Sequence, residues 1–202
     1  MPDVLVVGLS HRSAPLAVLE RAALDPDTRD ELLARVADPG VAREAVILAT
    51  CNRVEIYAVT DAPRPAAQRI LALLAGKTGV ALPELSASTY VHEGPAAVRH
   101  LFRVVCGLDS MLVGDAQIRG QVREAYRHAQ RFGAAGRGLH ELFQRALRLG
   151  KRAESDQGIG RAGRSLVDVG LDQVRRHLGD LTGRPALVVG AGGMGSLAAS
   201  AR

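Results

Sequence analysis

The chain has 202 residues, 47% hydrophobic and 23% charged, enough to bury one good core and part of a second. No apolar run approaches the roughly 20 residues that a membrane-spanning helix needs, and Met1-Pro2-Asp3 opens on an acid rather than a basic n-region, which argues against a secretory signal. Two cysteines, Cys51 and Cys106, are too few for a disulfide framework and suit a reducing cytoplasm, while the net charge of +5, carried by 24 Arg and two Lys spread along the chain, favours polyanionic partners such as RNA without marking a binding patch.

In chain order, residues 4–9 form a short apolar run that predicts a strand ending at Ser10-His11. Helical spacing over 15–24 and 28–37 is broken by Asp25-Pro26, with Asp27 the expected N-cap of the second helix. Strands are expected at 44–49 and 54–60, then a helix over 65–77 closed by Gly79, and a strand at 88–92. Pro95 opens a helix with Val98, Leu101, Phe102 and Val105 on one stripe, which leaves His100 on the opposite face. Asp115 is the expected cap of a long helix running to Phe132; after the break at 133–138, Leu139, Leu142, Phe143, Ala146 and Leu149 form the stripe of another. The glycine-punctuated stretch 158–163 precedes a helix over 165–178. Residues 186–189 read as a strand before Gly190-Ala191-Gly192-Gly193-Met194-Gly195.

The first part orders as β-α-β-β-α-β, which predicts an α+β, ferredoxin-like domain over residues 1–138. In that topology the first two strands run the same way, so His11 and residues 51–53 lie at one sheet edge. The helix from Pro95 returns there with Asp109 and Ser110. Residues 139–180 form a connecting helical segment, and 181–202 the first strand and turn of a truncated Rossmann-type domain.

Thr50-Cys51-Asn52-Arg53 carries the chemistry. A thiol on a tight turn between two strands is exposed and rigidly held, and Arg53 two residues on can attract an anion or favour a thiolate; the plain alternative is a small hydrophobe at a strand end. Cys106 continues an apolar stripe and reads as core, and the scattered histidines and cysteines have no zinc spacing. The glycine run at 190–195 resembles a dinucleotide fingerprint, whose amides would meet a pyrophosphate at a helix N-terminus.

Three stretches resemble glutamyl-tRNA reductases: Val7-Gly8-Leu9-Ser10-His11-Arg12-Ser13-Ala14-Pro15, Ala49-Thr50-Cys51-Asn52-Arg53-Val54-Glu55-Ile56-Tyr57, and the run from His100 through Cys106-Gly107-Leu108-Asp109-Ser110 to Val122. The resemblance implies NADPH-dependent reduction of glutamyl-tRNA to glutamate-1-semialdehyde for 5-aminolevulinate and tetrapyrrole synthesis. It implies Cys51 as nucleophile and His100 as the histidine needed for activity. The glutamate pocket would be formed by Thr50, Cys51, Asn52, Arg53, Ser110, Asp115, Ala116, Gln117 and Gln121. Gly190, Ala191, Gly192, Gly193, Met194 and Gly195 would serve NADPH. An aminoacyl ester is an activated acyl group, which a thiolate attacks well; His100 could protonate the departing ribose oxygen, and Arg53 could pair bidentately with the glutamate side-chain carboxylate. A homodimer, product transfer to glutamate-1-semialdehyde aminomutase and a cytoplasmic location are further implications.

The chain departs from the family where Gly114-Asp115-Ala116-Gln117 replaces the usual Gly-Glu-Pro-Gln, and it stops at Arg202, where family members continue through a cofactor domain and a helical dimerisation domain. It is therefore expected to be a fragment competent for acyl capture rather than hydride transfer. Two other readings stay open: a non-catalytic basic tRNA-binding or interaction module, and a generic nicotinamide oxidoreductase resting on residues 190–195 alone.

Overall fold

The computed structural model describes residues 3–114, 117–157, 166–190 and 193–200. Four strands, β1 (Asp3–Ser10), β2 (Glu44–Thr50), β3 (Arg53–Thr60) and β4 (Tyr90–Glu93), form one sheet in the order β2-β3-β1-β4. Every neighbouring pair is antiparallel, so β1 and β2 run the same way, as the strand pattern predicts. The expected bounds of β2 and β3 each extend by one residue, because Thr50 pairs with Arg53 and leaves only Cys51 and Asn52 in the turn.

Helices cover both faces of this sheet. On one lie α2 (Pro26–Val36) and α3 (Pro63–Thr78); on the other lie α5 (Pro95–Val105), α6 (Gln117–Phe132) and α7 (Arg137–Gln157). With both faces covered, all eight residues of the central strand β3 are buried. The alternation of side chains along a strand sends Ile56 and Ala58 to one core and Tyr57 to the other, where Phe143 of α7 meets Tyr57 edge-on at 5.4 Å and stacks on Tyr126 of α6 at 5.5 Å.

Several local signals resolve differently from their sequence reading. The cap of α2 is Asp25, which accepts the Thr28 N–H at 2.9 Å, and not Asp27; Pro26 opens the helix at its first position rather than breaking it. A short α1 (Leu16–Arg21) replaces the longer helix expected at 15–24, and α4 (Leu82–Ser88), opened by Pro83, forms where no helix is expected. Gly79 closes α3 in the left-handed conformation, φ 69°, as its position suggests. The expected strand at 88–92 begins two residues later, since α4 runs through Ser88.

Over residues 139–180, expected to connect two domains, the chain continues α7 and forms α8 (Leu166–Leu178); the stretch 158–163 lies outside the described residues. The N-terminus of α7 is capped from the sheet. The Glu44 carboxylate, at the start of β2, accepts the N–H groups of Gly138 at 2.9 Å and Leu139 at 2.7 Å. The strand expected at 186–189 does not form: these residues pair with nothing in the sheet, and Leu187 and Val189 are almost wholly exposed. An apolar run gains from extended structure only when neighbours pair with it and cover it.

Candidate active site

Cys51 is a free, exposed thiol at the two-residue turn that joins β2 to β3. Neither Cys51 nor Asn52 takes a positive φ, so this is not the glycine-dependent turn usual for so short a hairpin. Local bonds hold it instead. The Thr50 hydroxyl accepts the Asn52 N–H at 3.2 Å and faces the Arg53 carbonyl at 3.5 Å. From the adjacent strand end, the His11 N–H donates to the Asn52 carbonyl at 3.0 Å. The thiol is thus presented to solvent on backbone fixed from two strands.

Beneath the turn lies a largely buried polar network. Arg53, Glu55 and Tyr57 alternate onto one face of β3, and all three are buried. Arg53 Nη1 donates to Glu55 at 2.7 Å and to the Asp109 carboxylate at 3.3 Å, while Nη2 donates to the Asp109 carbonyl at 2.6 Å. Glu55 accepts the Tyr57 hydroxyl at 2.6 Å, the Tyr90 hydroxyl, and His100 Nε2 at 2.8 Å. Burial alone would push the Glu55 carboxyl up, but the His100 hydrogen bond and the Arg53 charge outweigh it and hold it at about 2. Burial, then the Glu55 charge, pushes both Tyr57 and Tyr90 up, so each stays a hydroxyl donor.

His100 is not on a solvated face. The buried stripe of α5 is Ala97, His100, Leu101, Val104 and Val105, and His100 turns its imidazole inward against the rings of Tyr90 at 5.1 Å and His92 at 5.0 Å. Of the expected stripe, Leu101 and Val105 are buried, but Val98 and Phe102 are not. These instead line a groove of about 580 Å³ beside Cys106 and Leu149, open to solvent. Cys106 is accordingly half-buried at the groove wall, not a core residue, and burial pushes its thiol up.

Arg53 is buried and already bonded to Glu55 and Asp109, so a bidentate pair with a substrate carboxylate would compete with these contacts. The more open cations are Arg12 and Arg103, half exposed, whose guanidinium groups approach the Asp109 carboxylate at 3.6 and 3.9 Å. Asp109 and Ser110 are both buried in the turn after α5, where the sequence topology brings them towards the Cys51 edge. Gly114 N–H closes that turn on the Gly107 carbonyl at 3.0 Å. Gln117 and Gln121 are exposed on the first turns of α6, and Asp115 and Ala116 lie outside the described residues.

Glu55, Tyr57, Tyr90 and Asp109 were not assigned roles from the sequence. Their signal is a charged residue, Glu55, inside an apolar strand run two places from Arg53, a pair that only makes sense buried together.

The glycine run is partly visible. Gly190 has φ 115°, and a Cβ at Gly195 would stand 2.2 Å from the Gly190 carbonyl oxygen, so α9 (Gly193–Ser200) meets the turn where only glycine fits. Ala191 and Gly192 lie outside the described residues. Residues 186–189 form no strand, and the described residues do not complete a dinucleotide site. Among the described residues no cluster of three His, Cys, Asp or Glu side chains can hold a metal ion.

Comparison with known proteins places this geometry in context. Residues 7–157 match the family model for the glutamyl-tRNAGlu reductase N-terminal domain. Glutamyl-tRNA reductase of Streptomyces coelicolor is 51% identical over 202 residues, covering 98% of this chain and 35% of that protein. The Acidothermus cellulolyticus protein of the same name is 48% identical over 199 residues, 98% of this chain and 42% of its own length. The solved glutamyl-tRNA reductase from Methanopyrus kandleri superposes with a TM-score of 0.67 at 35% identity, covering 98% of this chain and 46% of that one. The chain thus spans less than half the length of these relatives.

Proposed function

The chain belongs to the glutamyl-tRNA reductase family, and on that premise we propose that it captures the glutamyl group of glutamyl-tRNA as a thioester on Cys51. The observation that carries this reading is the exposed thiol on a turn braced by the Arg53–Glu55–Asp109 network. The Sγ–carbonyl bond forms, the ribose ester C–O bond breaks, and the thiol proton is balanced by one delivered to the ribose oxygen. Thr50, Asn52, Arg53, Ser110 and the start of α6, with Asp115, Ala116, Gln117 and Gln121, form the glutamate pocket. His100 is the donor to the ribose oxygen, acting through Nδ1, because Nε2 faces Glu55.

In the whole protein, NADPH supplies the hydride that reduces the thioester to glutamate-1-semialdehyde; no residue of this chain is placed in that step. The sheet order β2-β3-β1-β4 supports a ferredoxin-like catalytic domain over residues 1–138, followed by the connecting helices to 180 and the opening of an NADPH domain at 181–202. The same reading includes a cytoplasmic homodimer that passes its product to glutamate-1-semialdehyde aminomutase.

The test mixes the chain with glutamyl-tRNA labelled in the amino acid. Hydroxylamine-labile label on wild type and none on Cys51→Ser supports the proposal. Equal label on both, or salt-sensitive tRNA binding with no label on either, replaces it with a non-catalytic tRNA-binding module.

A further inference from the structure

His11 holds a group that the acyl-capture reading leaves without a task. Its Nδ1 is buried and has no hydrogen-bond partner among the described residues. A buried polar atom left unpaired is uncommon and calls for a reason. The residue is also tied to the thiol turn, since its N–H donates to the carbonyl of Asn52, the neighbour of Cys51. The strand register fixes the same proximity: Ser10, its predecessor, pairs with Arg53.

We propose that His11 is a further catalytic residue, the general base that removes the Cys51 thiol proton during acyl capture. This rests on the function proposed above. The Sγ–H proton passes to Nδ1, the sulfur electron pair forms the Sγ–carbonyl bond, and the ester C–O pair leaves with the ribose oxygen, which His100 protonates. His11 then loses its proton to water and His100 regains one, so the cycle closes.

The charged groups facing His11 come from three places: Arg12 beside it in sequence, Arg53 on β3, and Asp109 in the turn after α5. Burial pushes the imidazole down from its usual value, and the Arg53 and Arg12 charges add to this more than Asp109 opposes it. The free base is therefore the form present at neutral pH, as a proton acceptor requires.

The experiment is single-turnover transfer of label from glutamyl-tRNA to Cys51. His11→Ala is expected to slow transfer at least ~100-fold and to abolish the rising limb of the wild-type pH profile. Added imidazole should restore the rate in proportion to its free-base concentration, which a packing defect would not show. The thermal midpoint of His11→Ala should equal or exceed that of wild type, because the unpaired atom is gone. His11→Gln, a second variant that keeps a polar side chain but no base, should be equally slow. Transfer at wild-type speed in either variant, or a slow His11→Ala that imidazole does not rescue, overturns the assignment while leaving Cys51 as nucleophile. A wild type that takes no label sinks both.

Discussion

Tyr90 reaches Glu55 across a strand that lies between them. Both are neighbours of Gly8 on β1, Glu55 by register on one side and Tyr90 on the other. A Cβ at Gly8 would stand 2.8 Å from Glu55 Cγ and 3.1 Å from Tyr90 Cε2. The missing side chain is the gap through which the phenol and the carboxylate meet.

Gly8→Ala should therefore destabilise the fold, although alanine is the better strand residue in isolation. Overpacking of this kind costs about 1–3 kcal/mol. The expected result is a lower denaturant midpoint with an unchanged slope. A midpoint equal to wild type would mean that Tyr90 and Glu55 part without cost.

The Glu55 carboxyl predicts an acid-sensitive fold. Its pKa falls from 4.5 to about 2 on folding, so its contribution to stability is complete above 4.5 and is lost as pH falls from there towards 2. That depression corresponds to roughly 3 kcal/mol. Unfolding free energy measured at pH 7, 4 and 3 should decline across this window. Glu55→Gln should be less stable than wild type at pH 7, because Arg53 keeps its charge with one carboxylate fewer, and should decline less with acid.

Arg53→Lys should keep the charge and lose the geometry. One ammonium cannot serve Glu55, the Asp109 carboxylate and the Asp109 carbonyl with the fixed fork that the guanidinium provides. Amide exchange in residues 107–114 should accelerate while exchange in β1 and β3 is little changed. Unaltered protection of 107–114 would show that the turn holds itself without the arginine.

Local signals account for much of what the sequence pattern foretold. The apolar strand runs, the Pro95 helix start, the Gly79 stop and the tight turn at Cys51 each depend on neighbours in the chain, and each is found in the structure. Misreadings arose where distant packing decides. His100 falls opposite the expected stripe because α5 is apolar around most of its circumference, and the sheet, α6 and α7 determine which arc is covered. For Arg53 the sequence gives no sign of its buried contact with Asp109, 56 residues away. Residues 186–189 have the composition of a strand and pair with no strand among the described residues.

Glu44 and Cys51 mark the two ends of β2. The seven-residue strand, roughly 20 Å of extended chain, carries the anchor of α7 at one end and leads directly into the Cys51 turn at the other. It behaves as a stiff strut: a tilt of the long helix must either tear its terminal amides from Glu44 or drag the strut along. The turn that bears Cys51 is in this way mechanically tethered to α7.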